Sequence, residues 1–260
     1  MFGKVLKYEF KANGKVLFPA YLFGLLGSLI LRLLGWLLSL ASPTVGGYAD
    51  RLFGGVVGLY AVAVVLFSIG YIIIRFYRSM VGKEAYLTLT LPVNTTAHIW
   101  ARFLSGFVFS VLGLLACLAT LNIYDFTSFE IAPLSSQDWV ILMCLAGIVV
   151  ILLAYVVMEA YFCCGVGSQF KSKVLSSVVT FFIVHNAIGI VTVAVLAPIV
   201  INMEKSGQLQ SMLDQLTVDP YAATGLFPTL LLVIFLYCGV IFTAQFLTAR
   251  HLFAKKLNLE

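Results

Sequence analysis

Three ionisable side chains, Arg32, Glu159 and His185, stand inside stretches of sequence that are otherwise apolar. Charged or titratable groups at bilayer depth are costly, face protein or a wet cavity, and are functional candidates by default. Glu159 lies about six residues from the inner end of the fourth apolar stretch and His185 about eleven residues into the fifth, counted at the helical rise. Consecutive spans run antiparallel, so the carboxylate and the imidazole could meet directly or through water, and their charge states would then be coupled. Three uses of such a pair stay open: a hydrogen bond joining two helices, the lining of a substrate cavity, or a proton-linked step. Asn186, beside His185, offers a further interhelical contact. Arg32 sits about 24 Å along the first stretch. It can snorkel outward, or contact substrate or an outer acid.

Other chemistries find no support. The chain has no G-x-x-x-x-G-K-[ST] loop to cradle a nucleotide. Phe181 and His185 form an F-x-x-x-H pattern reminiscent of membrane-embedded CAAX-type proteases, but those also need a paired-Glu motif and a second His at membrane depth. This chain has one intramembrane Glu and no Glu-Glu pair. The five cysteines (Cys117, Cys144, Cys163, Cys164, Cys238) all fall within apolar stretches, where they read as small packing residues rather than disulfide partners or metal ligands. No catalytic residue, resident cofactor or metal is expected.

The elements that must position these groups are transmembrane helices. Hydrophobic residues make up 62% of the chain, charged residues 10%, and the mean hydropathy is +1.05, far from the soluble norm of roughly a quarter charged. A spanning helix needs about 20 predominantly apolar residues. Candidate spans fall at 16–41, 52–76, 99–122, 139–165, 174–202 and 226–249, giving an all-α integral membrane protein in one transmembrane domain over 1–260. The first span begins too late and runs too long for a cleaved signal peptide and is expected to be retained.

Charge sets the orientation. Lys4, Lys7, Lys11, Lys15, Arg75, Arg78, Lys83, Arg102, Lys171, Lys173, Arg250, Lys255 and Lys256 fall on one side; only Arg51 and Lys205 fall on the other, with Asp50, Asp125, Glu130, Asp138, Glu204, Asp214 and Asp219. Cytoplasmic flanks carry the Lys/Arg excess, so both termini of this multi-pass protein are expected in the cytoplasm. Basic flanks beside anionic lipid account for the net charge of +5, and no nucleic-acid partner is implied.

Between the spans, residues 1–15 place Phe2, Val5, Leu6 and Phe10 among four lysines, which predicts a short amphipathic helix in the inner interface, broken near Asn13-Gly14. Ser42-Pro43 and Gly46-Gly47 predict a short outer turn. Residues 123–138 read as a loop. In 203–225, Leu209, Met212, Leu213 and Leu216 fall at helical spacing, predicting an outer loop or short helix.

The loop between spans two and three, RFYRSMVGKEAYLTLTLPVNTTAHIWARFLSG over 75–106, carries the most local information. Val81, Ala85 and Leu89 at i, i+4 spacing, with Lys83, Glu84 and Thr88 on another face, predict a short helix over 79–90. Pro92 disfavours helical geometry at Leu91, and Asn94, Thr95 or Thr96 can cap the third span. This segment resembles the corresponding loop of six-span ABC transporter permeases of the type-2 exporter class, in the basic end of span two, the EAYLTLTLPV stretch and the His-Ile start of span three. The segments KVLKYEFKANGK and KKLNLE look similar too. The resemblance implies that 79–91 is a coupling helix seated on a separate nucleotide-binding subunit, contacted by Gly82, Lys83, Glu84, Ala85, Tyr86, Leu87 and Thr88. It also implies ATP and Mg on that partner, and a second permease, identical or related. The alternatives are a proton-linked secondary transporter, supported by Glu159 and His185 although no inverted repeat is visible, and a toxin-binding immunity or sensor protein.

Overall fold

A computed structural model describes residues 2–82, 84–85, 94–124, 135–208, 210–211, 214 and 226–255. Among them the chain is helical, with six long helices: α1 (Phe2–Ala41), α2 (Pro43–Met80), α3 (Thr95–Tyr124), α4 (Ser136–Gly167), α5 (Lys173–Lys205) and α6 (Leu226–Lys255). All six are long and apolar enough to cross a membrane. They fall into two compact units, Met1–Ala132 and Pro133–Glu260.

In the first unit α1, α2 and α3 each pack on the other two. The expected separate helix over 1–15 and its break are not there: α1 is one 40-residue helix, about 60 Å long at the helical rise and so about twice the hydrocarbon thickness. Asn13 and Gly14 read as a breaker from propensity, yet both are buried in the packed face of α1. The Asn13 Nδ2 donates to Ser105 Oγ at 2.8 Å, and a Cβ built on Gly14 would lie 3.5 Å from the Phe109 ring. Packing overrides the local preference. The expected outer turn shrinks in the same way. Ser42 alone separates α1 from α2, with Pro43 in the first turn where its missing N–H costs nothing. Gly46 is a close-approach position: a Cβ there would come within 2.5 Å of the Ser39 Cα.

In the second unit α4 is central, packed on α5 and on α6. Ser135 and Asp138 form a reciprocal capping box at its start. Gly167 ends it where a Cβ would meet the Ser177 backbone N at 2.6 Å, so the α4–α5 corner closes tightly only with glycine. Gly207, at φ 72°, follows the last turn of α5 in the left-handed conformation that glycine adopts freely. Residues 208, 210, 211 and 214 are helical, while the remainder of the helix expected within 203–225 lies outside the described residues. All five cysteines are free thiols.

Candidate functional site

The strongest polar constellation in the first unit was not singled out by the sequence. Near its amino end α1 presents Glu9, whose Oε2 accepts from Arg75 Nη2 at 2.9 Å and Nε at 3.2 Å on α2. Its Oε1 faces Arg102 Nε on α3 at 3.3 Å. One carboxylate thus ties the three helices together. The Glu9 side chain is 13% exposed and Arg102 only 5%, so this is a largely desolvated network in which each charge depends on the others. Arg102 also places Nη1 against the Met80 sulfur at the last turn of α2. One turn before Arg102, His98 is 2% exposed and neither ring nitrogen has a hydrogen-bond partner. Arg102 and Glu9 are its charged neighbours.

The ring positions on α3 follow from register. His98, Arg102, Ser105 and Phe109 recur every three or four residues and so share one face. On α1, Glu9, Asn13, Leu17 and Tyr21 do the same. Phe10 packs on Phe109 with ring centroids 5.8 Å apart, and Tyr21 donates to the Phe109 carbonyl at 2.9 Å. The amphipathic spacing seen in the first fifteen residues is therefore the start of a helix–helix seam. A signal was present: Glu9 is the sole acid among four lysines there.

This network sits at the base of the loop between α2 and α3. Val81 and Ala85 are buried and the Ala85 N–H donates to the Gly82 carbonyl at 3.0 Å, while Gly82 is half-buried and Glu84 exposed. Lys83, Tyr86, Leu87 and Thr88, and with them most of the expected helix over 79–91, lie outside the described residues. At the other end of the unit, Arg32 Nη1 lies 3.7 Å from Asp50 Oδ1, and its guanidinium is 5.8 Å from the centre of the Tyr124 ring. The Tyr124 hydroxyl donates to the Asp50 carbonyl at 2.7 Å. Arg32 thus has an acid beside it and is itself partly exposed.

In the second unit the structure brings Glu159 and His185 together: His185 Nδ1 lies 3.3 Å from Glu159 Oε2. The two ends of this pair differ. Glu159 is fully buried on α4, and its Oε1 has no hydrogen-bond partner, whereas the His185 side chain on α5 is 57% exposed. The Phe181 ring stacks on His185 at 5.7 Å and 13° between planes, one turn earlier on the same helix, so the F-x-x-x-H pattern orients an imidazole. Asn186 makes no interhelical bond. Its Nδ2 donates to the Phe182 carbonyl of its own helix at 2.7 Å. A cross-helix contact comes instead from Thr192, whose hydroxyl bonds the Tyr237 hydroxyl of α6.

By fold and composition this is a multi-pass membrane protein, with six helices among the described residues long and apolar enough to cross a bilayer. Comparison with protein-family models, with curated proteins and with solved structures gives no match in any of the three.

Proposed function

We propose that the chain is the membrane-spanning permease subunit of an ATP-driven exporter of the type-2 ABC class. It would couple ATP hydrolysis on a separate nucleotide-binding subunit, which holds ATP and Mg, to export of an amphipathic compound such as a peptide or an antibiotic. In this reading a second permease completes the pathway, the membrane is a bacterial plasma membrane and both termini are cytoplasmic. The observation that carries it is the anchoring of the inner loop. A lever that passes a partner's movement to spanning helices must be rigidly rooted, and Glu9 joins α1, α2 and α3 beside Met80, Val81 and Ala85. The EAYLTLTLPV resemblance supplies the partner's class.

The test is Glu84→Arg. Glu84 is exposed at the start of the loop, so reversing its charge leaves the six apolar helices untouched. The expected outcome is normal expression and membrane insertion with loss of copurification of the nucleotide-binding subunit and of stimulated ATP hydrolysis in lipid. Unchanged copurification, hydrolysis and transport would overturn the coupling assignment. A proton-linked transporter is the second reading, favoured by the Glu159–His185 contact. In that case a pH gradient without ATP drives transport, and Glu159→Gln abolishes it.

A further inference from the structure

Below the Arg32–Asp50 pair, the first unit contains a cleft of about 440 Å³ between α1, α2 and α3, within the range of about 300–1,000 Å³ usual for ligand pockets. Ser28, Val57 and Thr120 form its buried floor, and Phe23, Leu26 and Ile30 its exposed rim. Its surface is apolar in effect, because the hydroxyls present are already used: Ser28 donates to the Leu25 carbonyl, Thr120 to the Ala116 carbonyl and Tyr60 to the Ala20 carbonyl. A polar or charged ligand body would find no partners there. Gly27 on α1 borders open space: a Cβ built there would meet nothing within 4 Å.

The end of the cleft has a different chemistry. Arg32 is the residue after the lining Leu31 on α1, Asp50 lies two turns before the lining Val57 on α2, and Tyr124 lies one turn after the lining Thr120 on α3. A cation and an anion therefore sit side by side at the mouth, 3.7 Å apart and 26% and 43% exposed. An apolar slot capped by a paired positive and negative charge matches one kind of molecule available throughout a bilayer.

We propose that this cleft holds an acyl chain of a zwitterionic phospholipid, with the headgroup phosphate on Arg32 and its ammonium on Asp50. The surrounding hydrocarbon is as apolar as the cleft, so selection comes from van der Waals fit and from the headgroup charges rather than from transfer out of water. An anionic headgroup would satisfy Arg32 and be repelled by Asp50. The site is independent of whether the protein is an ATP-driven exporter.

The experiment reconstitutes the full-length protein in vesicles of equal phosphatidylethanolamine and phosphatidylglycerol. The protein is then extracted into detergent, and retained lipid is measured by native mass spectrometry. Wild type should retain phosphatidylethanolamine in preference. Gly27→Phe, which puts a ring into the slot from a position whose Cβ is unobstructed, should retain about tenfold less; Arg32→Gln should weaken retention of both lipids, and Asp50→Asn should erase the headgroup preference. Gly189→Phe on α5, where a Cβ also meets nothing within 4 Å, should behave as wild type. Circular dichroism and monodisperse elution establish folding, and Gly27→Leu replaces Gly27→Phe if the larger residue does not fold. Retention by the filled variant equal to wild type, equal loss from both glycine variants, a retained mass that is not a phospholipid, or absence of headgroup preference in the wild type would each overturn the proposal.

Discussion

Two carboxylates lie buried in apolar helices of this protein, and they are treated in opposite ways. Glu9 has both oxygens engaged by cations from two other helices, whereas Glu159 has no fixed cation: its partners are a half-exposed histidine on α5 and the neutral hydroxyl of Tyr155 one turn earlier on its own helix. A buried charge with complete partners locks the elements that supply them, and removing one member strands the rest. A buried charge with incomplete partners is a net cost to the fold. The first arrangement is therefore one that stability can explain. The second pairs its carboxylate only with a titratable imidazole and a neutral hydroxyl, so stability alone explains it less well.

Mutation sharpens this contrast. The largest effect is expected at Glu9. Glu9→Leu leaves Arg75 and Arg102 facing each other in a largely desolvated corner, at a cost of about 3–5 kcal/mol for a broken buried pair. Thermal denaturation in detergent should show a fall of many degrees, and the triple change Glu9→Leu, Arg75→Met, Arg102→Leu should recover most of it. A single variant as stable as wild type would remove the distinction between the two carboxylates. An intermediate effect is expected from Ser135→Ala, which removes the capping-box acceptor for the Asp138 N–H and should cost about 1 kcal/mol, read as a small drop in the same melting experiment. The smallest change in stability is expected at Glu159. Because His185 can turn to other partners from its exposed position, Glu159→Leu and Glu159→Gln should both melt close to wild type, while transport in vesicles falls for both. A marked destabilisation by Glu159→Leu alone would make the pair a structural bond like that of Glu9.

What the sequence shows depends on which force writes the signal. Six helices are legible because hydropathy over about 20 residues is a strong, local signature, and the Glu159–His185 contact follows from depth along neighbouring antiparallel helices. The ends of the helices are less legible. Hydropathy places the first span at 16 and the second at 52, yet α1 begins at Phe2 and α2 at Pro43, because a helix continues past the apolar stretch wherever packing supports it. Asn13, Gly14 and Gly46 carry breaker chemistry in isolation and close-packing chemistry in context. Glu9, Arg75 and Arg102 are read as topological charge because no local pattern says that residues 66 or more positions apart meet. His98 enters only as part of a His-Ile resemblance. Its burial depends on the seam between α1 and α3, which is a tertiary fact.

The single-residue connection at Ser42 has a consequence for biosynthesis. With α1 ending at Ala41 and α2 beginning at Pro43, no long loop separates them, and the charged residues nearest the joint, Asp50 and Arg51, lie within α2. The backbone N–H and C=O groups of both segments are already satisfied within helices when they meet lipid. The pair can therefore enter as a preformed hairpin during synthesis, its two free ends on the same side of the membrane. The same joint gives a protease on the far side a helical surface in place of the extended, mobile segment that cleavage requires.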